Sequence, residues 1–240
     1  MRLHHYFGLH DPFSSLSHLL AAVAVLGGGY FLYLRGRGHA LRTGALLLFS
    51  LSLLFLFSMS GVYHGLPPGP WRVFFRRLDY AGIWIVIAGS ATPVHLLMLK
   101  GRWRWGMITL FWCVALTCLV LIDCYFAQLP YWAIVSAYVG CSLLGLISFM
   151  RIIESYGWRE TTLLTWGGVA YIAGAVIDTV DGPIVLSGVI GPHELFHIAV
   201  ILGACLHWIF IYNRADRPLH FPALHKTSPE PAPLPPAEPA

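Results

Sequence analysis

Five residues scattered along the chain have the types and spacing for metal-assisted hydrolysis. His193 and His197 stand four apart. On a helix they share one face at about 6 Å, the usual way for one helix to present two imidazoles to one ion. Ser60 and His64 repeat that spacing in another segment. Three neutral imidazoles suit Zn2+, which in catalytic sites takes three protein ligands and leaves a fourth position open. Zinc brings the pKa of water to about 7 and so makes hydroxide available at neutral pH. Asp79 would hold the attacking water and act as general base. Ser60 would orient His64 or donate to a developing oxyanion. Each residue also has a plainer reading. A lone histidine near the end of an apolar run often sits at an interface, Asp79 can pair with Arg76 or Arg77, and Ser60 can bond back to a helix carbonyl.

The elements that must position these groups are membrane helices. Of 240 residues, 57% are hydrophobic and 11% charged, with a mean hydropathy of +0.68. A soluble domain carries about 25% charged residues. That excludes a soluble enzyme, a disordered chain and a nucleic-acid binder. The net charge of +4 sits in short loops between apolar runs, the membrane pattern. A hydrocarbon core of about 30 Å needs about 20 apolar helical residues. Seven such runs occur, at roughly 16–34, 44–64, 78–99, 105–122, 130–150, 163–180 and 193–212. They predict an all-α integral membrane protein, a seven-transmembrane-helix bundle with an intramembrane zinc site. The helical domain covers 1–213, and the Pro-rich segment 214–240 is expected to be a disordered tail. The five cysteines form no CxxC pair, so neither a disulfide framework nor a thiolate metal site is expected. The opening MRLHHYFGLHDPF carries Asp11 and Pro12 ahead of the first apolar run, so no signal cleavage is expected. Small residues at Gly140, Cys141, Ser142 and Gly145, and at Gly167, Gly168, Ala170 and Gly174, are expected to let helices approach closely. Pro93 is expected to bend the third span.

Depth sharpens the metal reading. His64 ends the second span, Asp79 begins the third, and His193 and His197 begin the seventh. Because successive spans alternate in direction, all four fall on the N-terminal side of the membrane, and ionisable clusters inside a membrane are costly unless functional. His18 opens the first span at the same depth. Asp123, Asp178 and Asp181 also lie on that side, as loop ends or as an attraction for a cation. His207 lies about 21 Å further along its helix than His193 and is read as packed or as an interhelical hydrogen bonder. His95 is past midspan. Of the 15 lysines and arginines, only Arg2, Arg72, Arg76 and Arg77 fall on the N-terminal side, so charge bias places the other face in the cytoplasm.

Taken literally, residues 193–197 spell HExxH, the helix-borne string of zinc metalloproteases with Glu194 as general base. In intramembrane metalloproteases of this plan the string comes early and the aspartate later, the reverse of the order here, and that reading leaves Ser60 and His64 unexplained.

The chain resembles the hemolysin III family, the bacterial relatives of the adiponectin and progestin receptors within the wider set that includes alkaline ceramidases. Three blocks carry the resemblance: SGVYH at 60–64, LDYAGIWIVIAGSATP at 78–93 and HELFHIAVILGACLHW at 193–208, with a weaker match in DPFSSLSHLLA at 11–21. It spans residues 11–212. It implies a seven-helix fold around zinc, with His64, His193 and His197 as ligands, Asp79 on the attacking water, Ser60 in the site and Glu194 outside it. The resembling receptors keep the N-terminus and zinc in the cytoplasm, opposite to the charge count, so orientation stays open between the two. The implied activity is zinc-dependent hydrolysis of a lipid amide or ester, with a membrane lipid or fatty-acyl substrate as partner and the bacterial cytoplasmic (inner) membrane as location. The alternative is a receptor or membrane-homeostasis sensor with a structural zinc. A pore-forming cytolysin would need a continuous polar stripe, which the spans lack.

Overall fold

The computed structural model describes residues 8–217 and Leu219. Eight helices follow in order: α1 (Pro12–Gly36), α2 (Ala40–Gly65), α3 (Pro70–Met98), α4 (Gly101–Cys124), α5 (Tyr131–Leu143), α6 (Gly145–Tyr156), α7 (Trp158–Thr179) and α8 (Pro192–Tyr212). Among the described residues no strand forms; one isolated bridge joins Leu186 to Ile190 between α7 and α8. Proline begins α1, α3 and α8, where its missing N–H costs nothing.

Six helical runs are long and apolar enough to cross a membrane, one of them being α5 and α6 taken together as Tyr131–Tyr156. The fifth predicted span is therefore a helix in two pieces. The chain tightens at Leu144, whose N–H reaches both Gly140 and Cys141 carbonyls, and Ile147 N–H turns back to Leu144. The sixth predicted span, α7, falls outside those six, yet it runs the depth of the bundle. Near its start Glu160 pairs with Arg214, just beyond α8, at 2.7 Å, and near its end Asp178 meets His193 at the start of α8 at 3.1 Å. The rods thus number seven.

Helices extend past their apolar runs where the chain leaves hydrocarbon. The largest difference is α3, which starts at Pro70 rather than 78. Arg72, Arg76 and Arg77, expected in a loop, occupy its first turns. Beyond α8 the described chain stays packed past the composition break at Asn213. Arg214 and Ala215 are buried, Arg42 and Arg104 donate to the carbonyls of Arg217 and Leu219, and Arg35 lies 3.5 Å from Asp216. The rest of the Pro-rich tail, with His220, His225 and Lys226, lies outside the described residues, as do Arg2, His4 and His5.

The core is centred on α2 and α3, where Phe49, Phe57, Leu46 and Trp84 are fully buried. Leu20, Val23, Leu51 and Met150 stand more than half exposed on the outside, an arrangement that suits lipid and not water. Hydroxyls within the helices are satisfied locally: Ser50 and Thr92 donate to the carbonyls four residues back, as a medium without water demands. The small residues of α7 do let α8 approach. A Cβ at Gly167 would fall 2.3 Å from the His207 ring, and one at Gly174 2.6 Å from Ala199. Gly140 and Gly168 meet nothing within 4 Å, so close packing is not their role.

Candidate metal centre

The second crossing delivers His64 in its last helical turn, and α8 begins with His193 and His197 one turn apart. Their Nε2 atoms converge. His193 Nε2 lies 3.3 Å from His64 Nε2 and 3.2 Å from His197 Nε2, and the ligand atoms of all three lie within 4.8 Å of one another. Ligands about 2.0–2.1 Å from a tetrahedral zinc are themselves about 3.3 Å apart. His64 and His197 are buried, and His193 is partly open.

The far side of two rings determines what the near side offers. His64 Nδ1 lies 3.3 Å from Asp11 Oδ2, and His193 Nδ1 lies 3.1 Å from Asp178 Oδ1. An ionised carboxylate only accepts, so both Nδ1 atoms carry hydrogen, and in the neutral rings both Nε2 atoms present lone pairs. Two lone pairs facing at 3.3 Å repel unless a proton or a metal ion lies between them. The donor set therefore fits a divalent ion such as zinc, and the carboxylate-to-histidine hydrogen bonds are those that orient metal ligands.

Each carboxylate is itself held. Asp11 caps α1, its N–H donates to the His64 carbonyl at 2.9 Å, and Arg72 Nη2 reaches its carboxylate at 2.7 Å. Partial burial works to raise the Asp11 pKa; the hydrogen bonds and charges of His64 and Arg72 outweigh that and hold it below the ordinary carboxylate range. Arg72 also donates to the carbonyls of Tyr63 and Leu66 that end α2. This arginine, counted against the charge bias, is thus part of the site's framework. Asp178 accepts a hydrogen bond from the Tyr131 hydroxyl at the start of α5. His18 stacks on His197 with ring centroids 3.9 Å apart, placing the first crossing against the cluster.

Asp79 lies at the depth expected, beside Ser60 and within electrostatic reach of His64 and His193. The Ser60 hydroxyl is close enough to Asp79 to act on its carboxylate. Neither Arg76 nor Arg77 forms an ion pair with Asp79: Arg76 lies over the rings of Tyr80 and Phe126 while staying within electrostatic reach of Asp79, and Arg77 points toward Asp123 at 3.6 Å. Asp79 is not one of the three clustered ligands. Glu194 is committed to structure: its Oε2 accepts the Gly191 N–H at 3.0 Å, capping α8, and its Oε1 accepts from Ser14 Oγ at 3.2 Å. The HExxH string lacks a free general base.

Ser60, Asp79, His193 and His197 line one end of a cavity of about 420 Å³. Its walls run between α3, α5, α6, α7 and α8 and are mainly apolar. Leu143, Leu146, Val169 and Ile172 line it and stand 38–54% exposed, so on the side of α5–α6 and α7 the cavity is lined by side chains that are not packed over. His207 donates to or accepts from no metal residue; its Nε2 lies 3.2 Å from the Leu164 carbonyl of α7, the interhelical role expected. Asp11, Asp178, Arg72 and Tyr131 are residues around the cluster that spacing alone missed, although depth already placed Asp178 on this side as a loop end or an attraction for a cation.

A family model described as Haemolysin-III related matches residues 8–208. The chain is 22% identical over 165 residues to "Hemolysin-3" of Bacillus cereus, covering 68% of this chain and 75% of that protein. It is 25% identical over 129 residues to "Hemolysin-3 homolog" of Bacillus subtilis (strain 168), covering 54% and 60%. With six membrane-length apolar helices and these bacterial relatives, this is an integral membrane protein of the bacterial cytoplasmic (inner) membrane.

Proposed function

The chain belongs to the haemolysin-III related family; from that membership and the geometry above, we propose that it is a zinc-dependent hydrolase of a lipid amide or ester. The observation that carries this reading is the joining of three convergent imidazoles, an aspartate beside a serine and an apolar cavity in one site. His64, His193 and His197 would hold the metal. When bound, zinc supplies a Lewis acid for the carbonyl and a more acidic water. The protein's own groups do the remainder. Asp11 and Asp178 keep two rings in the tautomer that presents Nε2. Ser60 donates to Asp79, leaving the other carboxylate oxygen to accept a water proton and later to return it to the leaving group. The apolar walls enclose the acyl chain and exclude bulk water, which strengthens every charge interaction at the polar end. A lipid would enter between α5–α6 and α7, where the cavity-lining side chains are least packed over.

Asp79→Asn tests this. Purified protein is incubated with ceramides and a panel of acyl lipids, and free fatty acid is measured. The expected result is turnover by the wild type and a loss of about 100-fold or more in the variant, within the range for a general base, with zinc content unchanged. A second reading, a sensor with structural zinc, is favoured by one observation: the cluster ties α2 to α8, and its carboxylates extend the tie to the α1 cap and α7. One tightly held zinc without turnover on any lipid of the panel would select it.

A further inference from the structure

The cavity has a second polar point, remote from the metal ligands. His95 lies 16 residues after Asp79 on α3, about 24 Å along the helix axis. Its Nε2 is 2.8 Å from Ser148 Oγ on α6. Both side chains line the cavity, and they are 3% and 2% exposed. Their surroundings are apolar: Val94, Phe111, Leu146, Phe149 and Ile152 line the same end. Among the described residues lining the cavity, Asp79 is the sole acid, so nothing here makes His95 an ion-pair partner.

Several hydroxyls along the walls are satisfied within their own helices: Ser90, Ser142 and Thr165 donate to carbonyls there. His207 Nε2 is engaged with the Leu164 carbonyl, and its Nδ1, like those of His18 and His197, is buried without a hydrogen-bond partner. The His95–Ser148 pair is set apart by joining two cavity-lining side chains from different helices, far from the imidazole cluster, with His95 Nδ1 also buried and unpartnered. Leaving such an atom unpaired costs more than a hydrogen bond returns, so an orphan inside a ligand-sized cavity calls for an explanation. Packing does not supply one, since an apolar residue would fill the position more cheaply.

The tautomers narrow the chemistry. If Ser148 donates to the Gly145 carbonyl, at 2.9 Å, then His95 Nε2 donates to Ser148 and Nδ1 wants a donor. If Ser148 donates to His95, Nδ1 carries the hydrogen and wants an acceptor. A neutral hydroxyl serves either case, whereas a carboxylate or ammonium buried here would lack a counter-charge. We infer that His95 and Ser148 form a subsite for a hydroxyl carried on the acyl chain, far from the end that meets the metal ligands. The pair selects among lipids by chain oxygenation and takes no part in bond cleavage. The inference shares with the hydrolase reading only the presence of an acyl chain in the cavity. It is tested by binding without turnover, so either can fail alone.

The test uses the full chain in detergent, with displacement of a fluorescent fatty acid as the readout. The probes are octadecanoic acid and its mid-chain and terminal hydroxyl isomers. The expected result is that at least one hydroxyl isomer binds about tenfold tighter than octadecanoic acid, the ratio one hydrogen bond supplies. Ser148→Ala and His95→Phe should each remove that preference while leaving the affinity for octadecanoic acid and the zinc content unchanged. Equal binding of all probes by the wild type would overturn the subsite. So would a preference that persists in both variants, or covalent labelling of Ser148 by a fluorophosphonate, which would make it a nucleophile.

Discussion

The helices that carry the reacting groups and those that enclose the cavity are built differently. Over their most apolar stretches α2 and α3, which carry Ser60, His64 and Asp79, are 56% and 61% buried; α8, which carries His193 and His197, is 28% buried, and α4 and the α5–α6 crossing are each 22% buried. On the dense side Gly82 and Gly89 of α3 approach α2 so closely that a Cβ would meet Leu56 at 3.0 Å and Ser52 at 2.4 Å. On the loose side the fifth crossing is broken at Leu144, and its few buried residues include Tyr138, whose hydroxyl reaches the Tyr80 carbonyl at 3.0 Å. The dense half supplies His64, Ser60 and Asp79 from closely packed helices, the footing that a precisely placed base requires, and α8 brings His193 and His197 to it. A wall that must admit and release a long chain belongs on the half with less to lose by opening.

The largest effect tests the imidazole cluster, where the dense α2 meets α8. His64→Ala and His197→Ala each remove one of three ligands, and zinc retained after purification, measured by plasma mass spectrometry, should fall from about one equivalent per chain to near zero. Unchanged metal in both variants would detach the cluster from metal binding. Asp178→Asn probes the next layer. The amide can still accept from His193 Nδ1 but brings no charge, so zinc affinity in chelator competition should fall about 10–100-fold. The smallest effect crosses between the halves. Tyr131 of the loose α5 donates to Asp178, the carboxylate that holds His193 Nδ1, and so links the cavity wall to the imidazole cluster. Tyr131→Phe should weaken zinc only a few-fold, by about one neutral hydrogen bond, and should speed amide hydrogen exchange in α5 more than in α3. An effect as large as that of Asp178→Asn would mean the loose half shares in building the site.

Much of this was legible in the sequence because depth is a one-dimensional property. Seven apolar runs with alternating direction place His64, Asp79, His193 and His197 at one level, and residue type does the rest. The choice among their partners was not legible. Periodicity gives depth along a helix but not which neighbour lies across from it, so Asp178 read as a loop end or an attraction for a cation, and Asp11 had no assigned partner, when they are the groups hydrogen-bonded to His193 and His64. Arg72 read as an anomaly of charge bias because its partners, Asp11 and the end of α2, are set by tertiary contact. The break at Leu144 has no proline to announce it, and Gly145 beside it is one of many membrane-helix glycines. Glu194 was ambiguous for a related reason: HExxH describes a spacing, and only the Gly191 and Ser14 contacts show the carboxylate capping its own helix.

The central claim is that imidazoles from the second and last crossings meet at one cation. X-ray absorption at the zinc edge on the purified full chain tests it most directly. The account predicts a shell of three histidine nitrogens at about 2.0–2.1 Å with a lighter oxygen contribution, and loss of that shell in His64→Ala. A protein that takes up no zinc, or zinc whose shell is built from thiolates or is unchanged in His64→Ala, would contradict it.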